Sequence, residues 1–249
     1  MRFVTIPCLL LLACSGNKDV DTSGSDTGTE EIGPCGRYSG AWRTGADWQW
    51  LVTPEGVSTY DREGSWEVLA MGEEEYTGVS VFMVQETAEF SSHTWPEDEI
   101  RLTWRYSCGD DGVRLVLLEG AWERSNDGIS LHEAGWWSID LPDHPLVLPN
   151  DLEVGQTWSF DSEMLYSASG TSKAVMALSA SFEVLAEEEV TVPAGTFQAM
   201  KVVSTWSGDP RSQFEPFTET RFMAPDVGDV RIEGYADLQS WEPDPEFTY

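Results

Sequence analysis

Apolar and polar side chains alternate with a period of two along much of this chain. Leu102, Trp104, Tyr106 and Cys108 alternate with Arg101, Thr103, Arg105 and Ser107, the pattern of a strand with one buried face. Gly109-Asp110-Asp111-Gly112 supplies turn residues, and Arg114 to Leu118 returns as a more fully buried strand, so a hairpin is predicted. Val79, Val81 and Met83 alternate in the same way, as do Ala174, Met176, Leu178, Ala180 and Phe182. The Ala, Met and Leu content of the last run suits a helix, but strict alternation beside β-branched neighbours predicts a strand. Ser125-Asn126-Asp127-Gly128 marks another turn before a short strand through Trp137. Three prolines between Asp140 and Asn150 (Pro142, Pro145, Pro149) predict an interval without regular structure. The expected fold class is all-β and antiparallel.

The most conspicuous hairpin runs from Ser181 to Phe197, SFEVLAEEEVTVPAGTF. Phe182, Val184, Val190 and Val192 mark a long strand, Pro193-Ala194-Gly195 a turn, and Thr196-Phe197 the start of the return strand. Its front end is repeated upstream: Ser65-Trp66-Glu67-Val68-Leu69-Ala70 matches Ser181-Phe182-Glu183-Val184-Leu185-Ala186. The surroundings are collinear. Arg105-Tyr106, then Asp110, Gly112, Val113 and Arg114, line up with Arg221-Phe222, then Asp226, Gly228, Val230 and Arg231. Gly45 and Trp48 answer Gly155 and Trp158, and Trp122 answers Trp241. An internal duplication is expected, with one β-unit over residues 35–140, a proline-rich linker over 141–150 and a related unit over 151–249. The two units form either tandem β-domains or a single barrel or half-barrel whose edges pair.

Charge narrows the range of partners. Forty-four Asp and Glu stand against fourteen Lys and Arg, a formal net charge of −30, and only Lys18, Lys173 and Lys201 are lysines. Such a field repels phosphate backbones and anionic headgroups, which argues against nucleic-acid binding and polybasic membrane docking. The N-terminus reads as a targeting segment over residues 1–13: Arg2 is the positive flank and Phe3 to Leu12 an apolar run too short to span a bilayer. Leu11-Leu12-Ala13-Cys14 resembles the bacterial lipobox. That resemblance implies cleavage before Cys14, acylation of its sulfur and of the new amine, and anchoring by two or more chains. Ser15 after the cysteine, with no Asp, suits an outer-membrane address if the source has two membranes.

Residues 14–34 then read as a disordered acidic Ser/Thr/Gly tether, too poor in apolar side chains to offset chain entropy. Asp19, Asp21, Ser23, Gly24 and Glu30 fall at calcium-loop spacing, but Asp26 replaces the aliphatic position and no amphipathic helix flanks the loop. With Cys8 removed and Cys14 lipidated, Cys35 and Cys108 remain as one pair in an oxidising compartment. A disulfide between them is expected, contributing roughly 4 kcal/mol in the chain-entropy model. It would clamp the end of the tether onto a strand. A metal site is the competing use of the pair, and no His stands at ligand spacing beside it.

The second half carries a further resemblance. Leu152-Glu153-Val154-Gly155-Gln156-Thr157-Trp158, then Val190-Thr191-Val192-Pro193-Ala194-Gly195-Thr196-Phe197, then Ala224-Pro225-Asp226-Val227-Gly228 with Val230-Arg231, is similar to a recurring pattern. It belongs to a largely uncharacterised group of bacterial exported proteins and lipoproteins, with a VGxxW strand, a VPAGTF hairpin and an APGVG turn. Asp226 stands where a glycine is commoner. The resemblance covers about residues 146–242 and implies a fold rather than an activity, because the pattern consists of turn and packing residues.

Candidate chemistry is sparse. His93, His132 and His144 are scattered, and no zincin spacing, G-x-S-x-G elbow, Walker loop or dinucleotide fingerprint is present. No catalytic residue, metal ligand or cofactor is assigned. His132-Glu133 reads as a solvated face. Glu73-Glu74-Glu75 and Glu187-Glu188-Glu189 read as charged hairpin loops or guarded strand edges. Twelve tryptophans are the one excess. Adjacent Trp136 and Trp137 point to opposite faces of a strand, so one of them is at least partly exposed. The function expected is that of a membrane-anchored cell-envelope lipoprotein, a non-catalytic binding module for an apolar ligand or an envelope partner. A structural surface protein and a hydrolase with acidic site residues are the alternatives.

Overall fold

The period-two pattern is realised as thirteen strands, and the computed structural model contains no helix among its described residues. Those residues are 35–38, 47–52, 64–90, 97–126, 131–169, 173–208, 216–234 and 236–242. The signal segment, Cys14, the tether with its calcium-like spacing, and His93 lie outside them.

The strands are β1 (Asp47–Val52), β2 (Gly64–Tyr76), β3 (Val79–Phe90), β4 (Glu97–Gly109), β5 (Gly112–Asn126) and β6 (Leu131–Asp140). After them come β7 (Leu146–Pro149), β8 (Thr157–Ala168), β9 (Ala174–Val192), β10 (Gly195–Gly208), β11 (Phe217–Ala224), β12 (Gly228–Ile232) and β13 (Ala236–Glu242). Apart from β7, each strand pairs antiparallel with its neighbours in chain order. The ring closes where β1 meets β13, with Trp48 opposite Trp241 and Val52 opposite Ala236. The fold is therefore a closed twelve-strand antiparallel barrel, which resolves the choice between tandem domains and one barrel. Closure gives each of the twelve ring strands a partner on both sides over at least part of its length, while β7 has a partner on one side only.

Sequence pairs Ser65–Ala70 and Ser181–Ala186 fall on β2 and β9, Trp48 and Trp158 on β1 and β8, and Arg105 and Arg221 on β4 and β11. These are corresponding strands of two six-strand runs. Trp122 and Trp241 fall on β5 and β13, which do not correspond. Two other expectations are corrected. The proline-rich interval contains β7, which pairs with the first residues of β5 through Leu148 opposite Val113 and Pro149 opposite Gly112. Pro149, the proline within β7, is tolerated because β7 has a partner on one side only, and an edge strand spares N–H groups. The two glutamate triplets lie within β2 and β9 rather than in loops, directed mainly to solvent.

A twelve-strand ring encloses a wider lumen than the eight-strand barrels that ordinary side chains fill, and large rings occupy it. Trp48, Trp104, Tyr106 and Trp206 are fully buried. Trp158 stacks on Phe182 at 4.9 Å between ring centres, and Trp206 meets Phe182 and Phe160 edge-on. Core filling thus accounts for much of the tryptophan excess. The outer face is polar along β8, at Thr157, Ser159, Asp161 and Glu163, and at Ser181 and Glu183 on β9, with Val175 and Leu185 as exposed apolar exceptions. A lipid-facing barrel wall would be apolar at such positions.

Antiparallel alternation puts the turns after β2, β4, β9 and β11 and the β6–β8 connection at one end of the barrel. Residues 35–38 dock there. Cys35 is bonded to Cys108 at the end of β4, with Cα atoms 4.9 Å apart. The Arg37 N–H donates to Asn150 O at 3.0 Å, and the Asp226 N–H donates to Arg37 O at 2.8 Å. Tyr38 is buried in the core, and burial pushes its hydroxyl up to about 12. Gly112, at φ 143°, must be glycine, since a Cβ would lie 2.1 Å from Leu148 O.

The β9–β10 hairpin does more than connect strands. The register between the two slips at Leu185, which is exposed, opposite the step from Lys201 to Val202. A bulge of this kind bends a strand, and the distal part of the hairpin lies over β12 and β13. The Ala194 N–H donates to Leu238 O at 3.1 Å, and Arg231 Nη2 donates to Thr191 O at 3.0 Å. These bonds reinforce the shortest junction of the ring, since β12 and β13 share only two paired positions, Arg231 with Asp237 and Ile232 with Ala236. The Pro193-Ala194-Gly195 turn thus serves as a latch across that seam.

Candidate functional site

Alternation along β11 directs Phe217, Glu219, Arg221 and Met223 into the lumen, so two charged side chains share an inward face with two apolar ones. Asp229 on β12 and Glu86 on β3 join them. All four ionisable groups are buried, Arg221 at 4% exposure, Glu219 at 8%, Glu86 at 2% and Asp229 at 0%. Arg221 Nε donates to Glu219 Oε1 at 2.9 Å and Nη1 to Asp229 Oδ2 at 2.7 Å. Ser204 Oγ also donates to Glu219 Oε1 at 3.3 Å, and Trp206 Nε1 donates to Ser204 Oγ at 3.1 Å. The other oxygens, Glu219 Oε2, Asp229 Oδ1 and Glu86 Oε1, accept no hydrogen bond from the described residues.

Burial dominates the electrostatics. It raises Asp229 to about 7, against the pull of Arg221 and with the help of Glu219. It raises Glu86 well above the usual carboxylate range, with Arg221 and the Trp104 indole opposing. The Trp104 N–H is directed toward Glu86 without reaching full hydrogen-bond geometry. Burial lowers Arg221, but Glu219 and Asp229 more than restore it, so the guanidinium stays charged. Beside Glu219 and Arg221 lies a cavity of about 20 Å³, walled by Val147, Leu148, Trp158 and Phe182. That space holds about one water molecule. It does not admit an organic substrate.

Toward the opposite end of the barrel the lumen changes character. The Trp137 ring lies over Gly120, where a Cβ would meet it at 2.3 Å, and the Trp122 ring lies over Gly135, where a Cβ would meet it at 2.7 Å. The two pairs are reciprocal across β5 and β6, Gly120 opposite Trp137 and Trp122 opposite Gly135. Each glycine lets a neighbouring indole lie flat on the sheet. Trp122, Trp137, Tyr166 and Met176 pack against the core yet remain only partly buried. Trp136 faces outward at 52% exposure, as the adjacency of two tryptophans requires.

Of the residues singled out from sequence, Cys35 and Cys108 come together as expected. His132 is an exposed partner of Glu123 at 3.7 Å. His144, in the left-handed region at φ 43°, offers its carbonyl to Arg114 Nη1 at 3.0 Å. Neither belongs to the lumen cluster. No group of three or more metal-ligating side chains occurs among the described residues. Sequence reasoning missed Glu86, Glu219, Arg221 and Asp229. The signal was present for three of them, in charged residues occupying the buried phase of Val84-Glu86-Ala88 and Phe217-Glu219-Arg221-Met223.

Residues 137–240 match the DUF3108-like family, less than half of the chain. Comparison with curated proteins finds no match. Among solved structures, the chain is similar to a protein from Parabacteroides distasonis provisionally assigned as a lipoprotein, at 14% identity and TM-score 0.44, covering 84% of this chain and 99% of that one. It is also similar to a provisionally assigned exported protein with a YmcC-like fold from Bacteroides fragilis, at 15% identity and TM-score 0.42, covering 80% and 96%. At these values the architecture rests on the chain's own strand pairing.

Proposed function

We propose that this chain is a lipid-anchored protein of the cell envelope whose barrel binds an apolar ligand without catalysing a reaction. The observation that carries the ligand reading is the set of lumen-facing rings, Trp122, Trp137 and Tyr166, left half-buried at the end opposite the Cys35–Cys108 clamp. Sites for apolar ligands are concave, mostly apolar and aromatic-lined. The clamp end is occupied by packed rings and the Arg221 cluster, so the half-buried aromatic rings are the place for a ligand. Anchoring rests on Leu11-Leu12-Ala13-Cys14 and the acidic tether, and the address is the outer membrane where the source has two.

Native mass spectrometry of the protein purified from an oxidising compartment is expected to retain a small apolar mass. A brominated alkyl chain is expected to quench its tryptophan emission, less strongly in Trp137→Ala. Absence of both would favour a structural or partner-binding role. Acyl labelling is expected to vanish in Cys14→Ala, and labelling that survives the substitution would remove the lipoprotein assignment.

A further inference from the structure

The lumen cluster contains three carboxylates and one guanidinium, all buried. Facing it are Glu86 from β3, Trp104 and Tyr106 from β4, Ser204 and Trp206 from β10, Glu219 and Arg221 from β11, and Asp229 from β12. Among these groups Arg221 is the one cation. A buried carboxylate left ionised without a partner costs several kcal/mol, so such groups neutralise instead. The cavity beside Glu219 has room for a water, and Glu219 already accepts from Arg221 and Ser204. Glu219 Oε2 also lacks a donor among the described residues, but Glu219 lines that cavity. Glu86 and Asp229, each with an oxygen without a donor among the described residues, are not part of its lining, and among those residues the donor to Asp229 is Arg221 alone.

We propose that the folded barrel is proton-loaded, Glu86 and Asp229 carrying the protons, and that ionisation of Asp229 loosens the β12–β13 seam. Asp229 lies on β12, which joins the next strand at only two positions. Once Asp229 ionises, it and Glu219 share a single guanidinium. The pH range follows from the raised value of Asp229, about 7 against 3.8 for an unperturbed Asp. Below the lower value both folded and unfolded chains bind the proton and the contribution is complete. Between the two values only the folded chain holds it, so the ratio of folded to unfolded chain falls about tenfold per pH unit for this group. Above about 7 the loss levels off. Glu86, raised in the same direction, adds a loss of the same sign.

Hydrogen exchange on the full chain, from about pH 5 to about pH 8 and corrected for intrinsic rates, tests the proposal. Protection of β12 and β13 amides is expected to fall as pH rises, and to stay level through neutrality in Asp229→Asn. Infrared spectroscopy near pH 6 is expected to show a protonated carboxyl band that weakens in Glu86→Gln, which keeps the test open if Asp229→Asn does not fold. Seam protection that is constant or rises with pH would overturn the proposal. So would the absence of a protonated carboxyl band, or a stoichiometric bound cation in native mass spectra.

Discussion

Arg221 shows how much one residue decides in a closed lumen. Its guanidinium is the shared donor to Glu219 and Asp229, at 2.9 and 2.7 Å, and without it those carboxylates lose their only strong partner. Removing one member of a buried pair costs about 3–5 kcal/mol, more than a surface ion pair contributes. Arg221→Ala is expected to lower the urea midpoint by a corresponding amount, with a smaller deficit at acid pH, where Asp229 is neutral. By contrast, Arg105, one position out of phase with Trp104 and Tyr106 on β4, bonds Glu74 and Glu119 on the outer face. Phase on the strand separates a lumen charge from a surface charge. That phase was legible for Glu219 and Arg221, because both interrupt an apolar period-two row. What the row does not contain is the partner, since Asp229 and Glu86 reach the cluster from other strands.

At the scale of elements, the hairpin centred on Pro193-Ala194-Gly195 and the segment 35–38 have the same task, closing weak points of the ring. The hairpin holds the β12–β13 seam through Leu238 O and Arg231, while residues 35–38 cover the barrel end through Tyr38, Asn150 and the disulfide. The bond joins residues 73 apart in sequence, and removing such a bond typically costs about 2–5 kcal/mol. Thermal unfolding of Cys35→Ser is therefore expected at a lower temperature than that of the oxidised wild type. Reductant is expected to bring the wild type to the same temperature as the variant. Both hairpin strands and the cysteine pair could be read from the chain, the first from alternation around turn residues and the second from cysteine count. The latch could not, because it depends on a bend at Leu185 and on what lies beneath the bend. The β7 strand also escaped the sequence reading: Pro149 within it and Pro142 and Pro145 before it argue against a strand until a one-sided partner, the start of β5, is in place.

For the whole molecule, the twelve-strand circumference explains the composition. A wide lumen filled by side chains needs large rings, and the twelve tryptophans meet that need at Trp48, Trp104 and Trp206 while leaving Trp122 and Trp137 half-buried toward the other end. We read the two six-strand runs, with residues 141–150 between them, as copies of one unit, each supplying half the ring. Among the described residues most acids face solvent, and the few turned inward set the pH response proposed for the seam. Most of the long strands, the turns at Gly109–Gly112 and Pro193–Gly195 and the cysteine pair were legible in the sequence itself, because alternation and turn chemistry act over a few residues and the cysteine pair has one connectivity. Whether the sheet closed, which charges met inside it and which rings stayed half-buried were decided only by tertiary structure. Those outcomes depend on β1 meeting β13 and on β3 facing β11 across the lumen, contacts between residues far apart in the chain that no local pattern encodes.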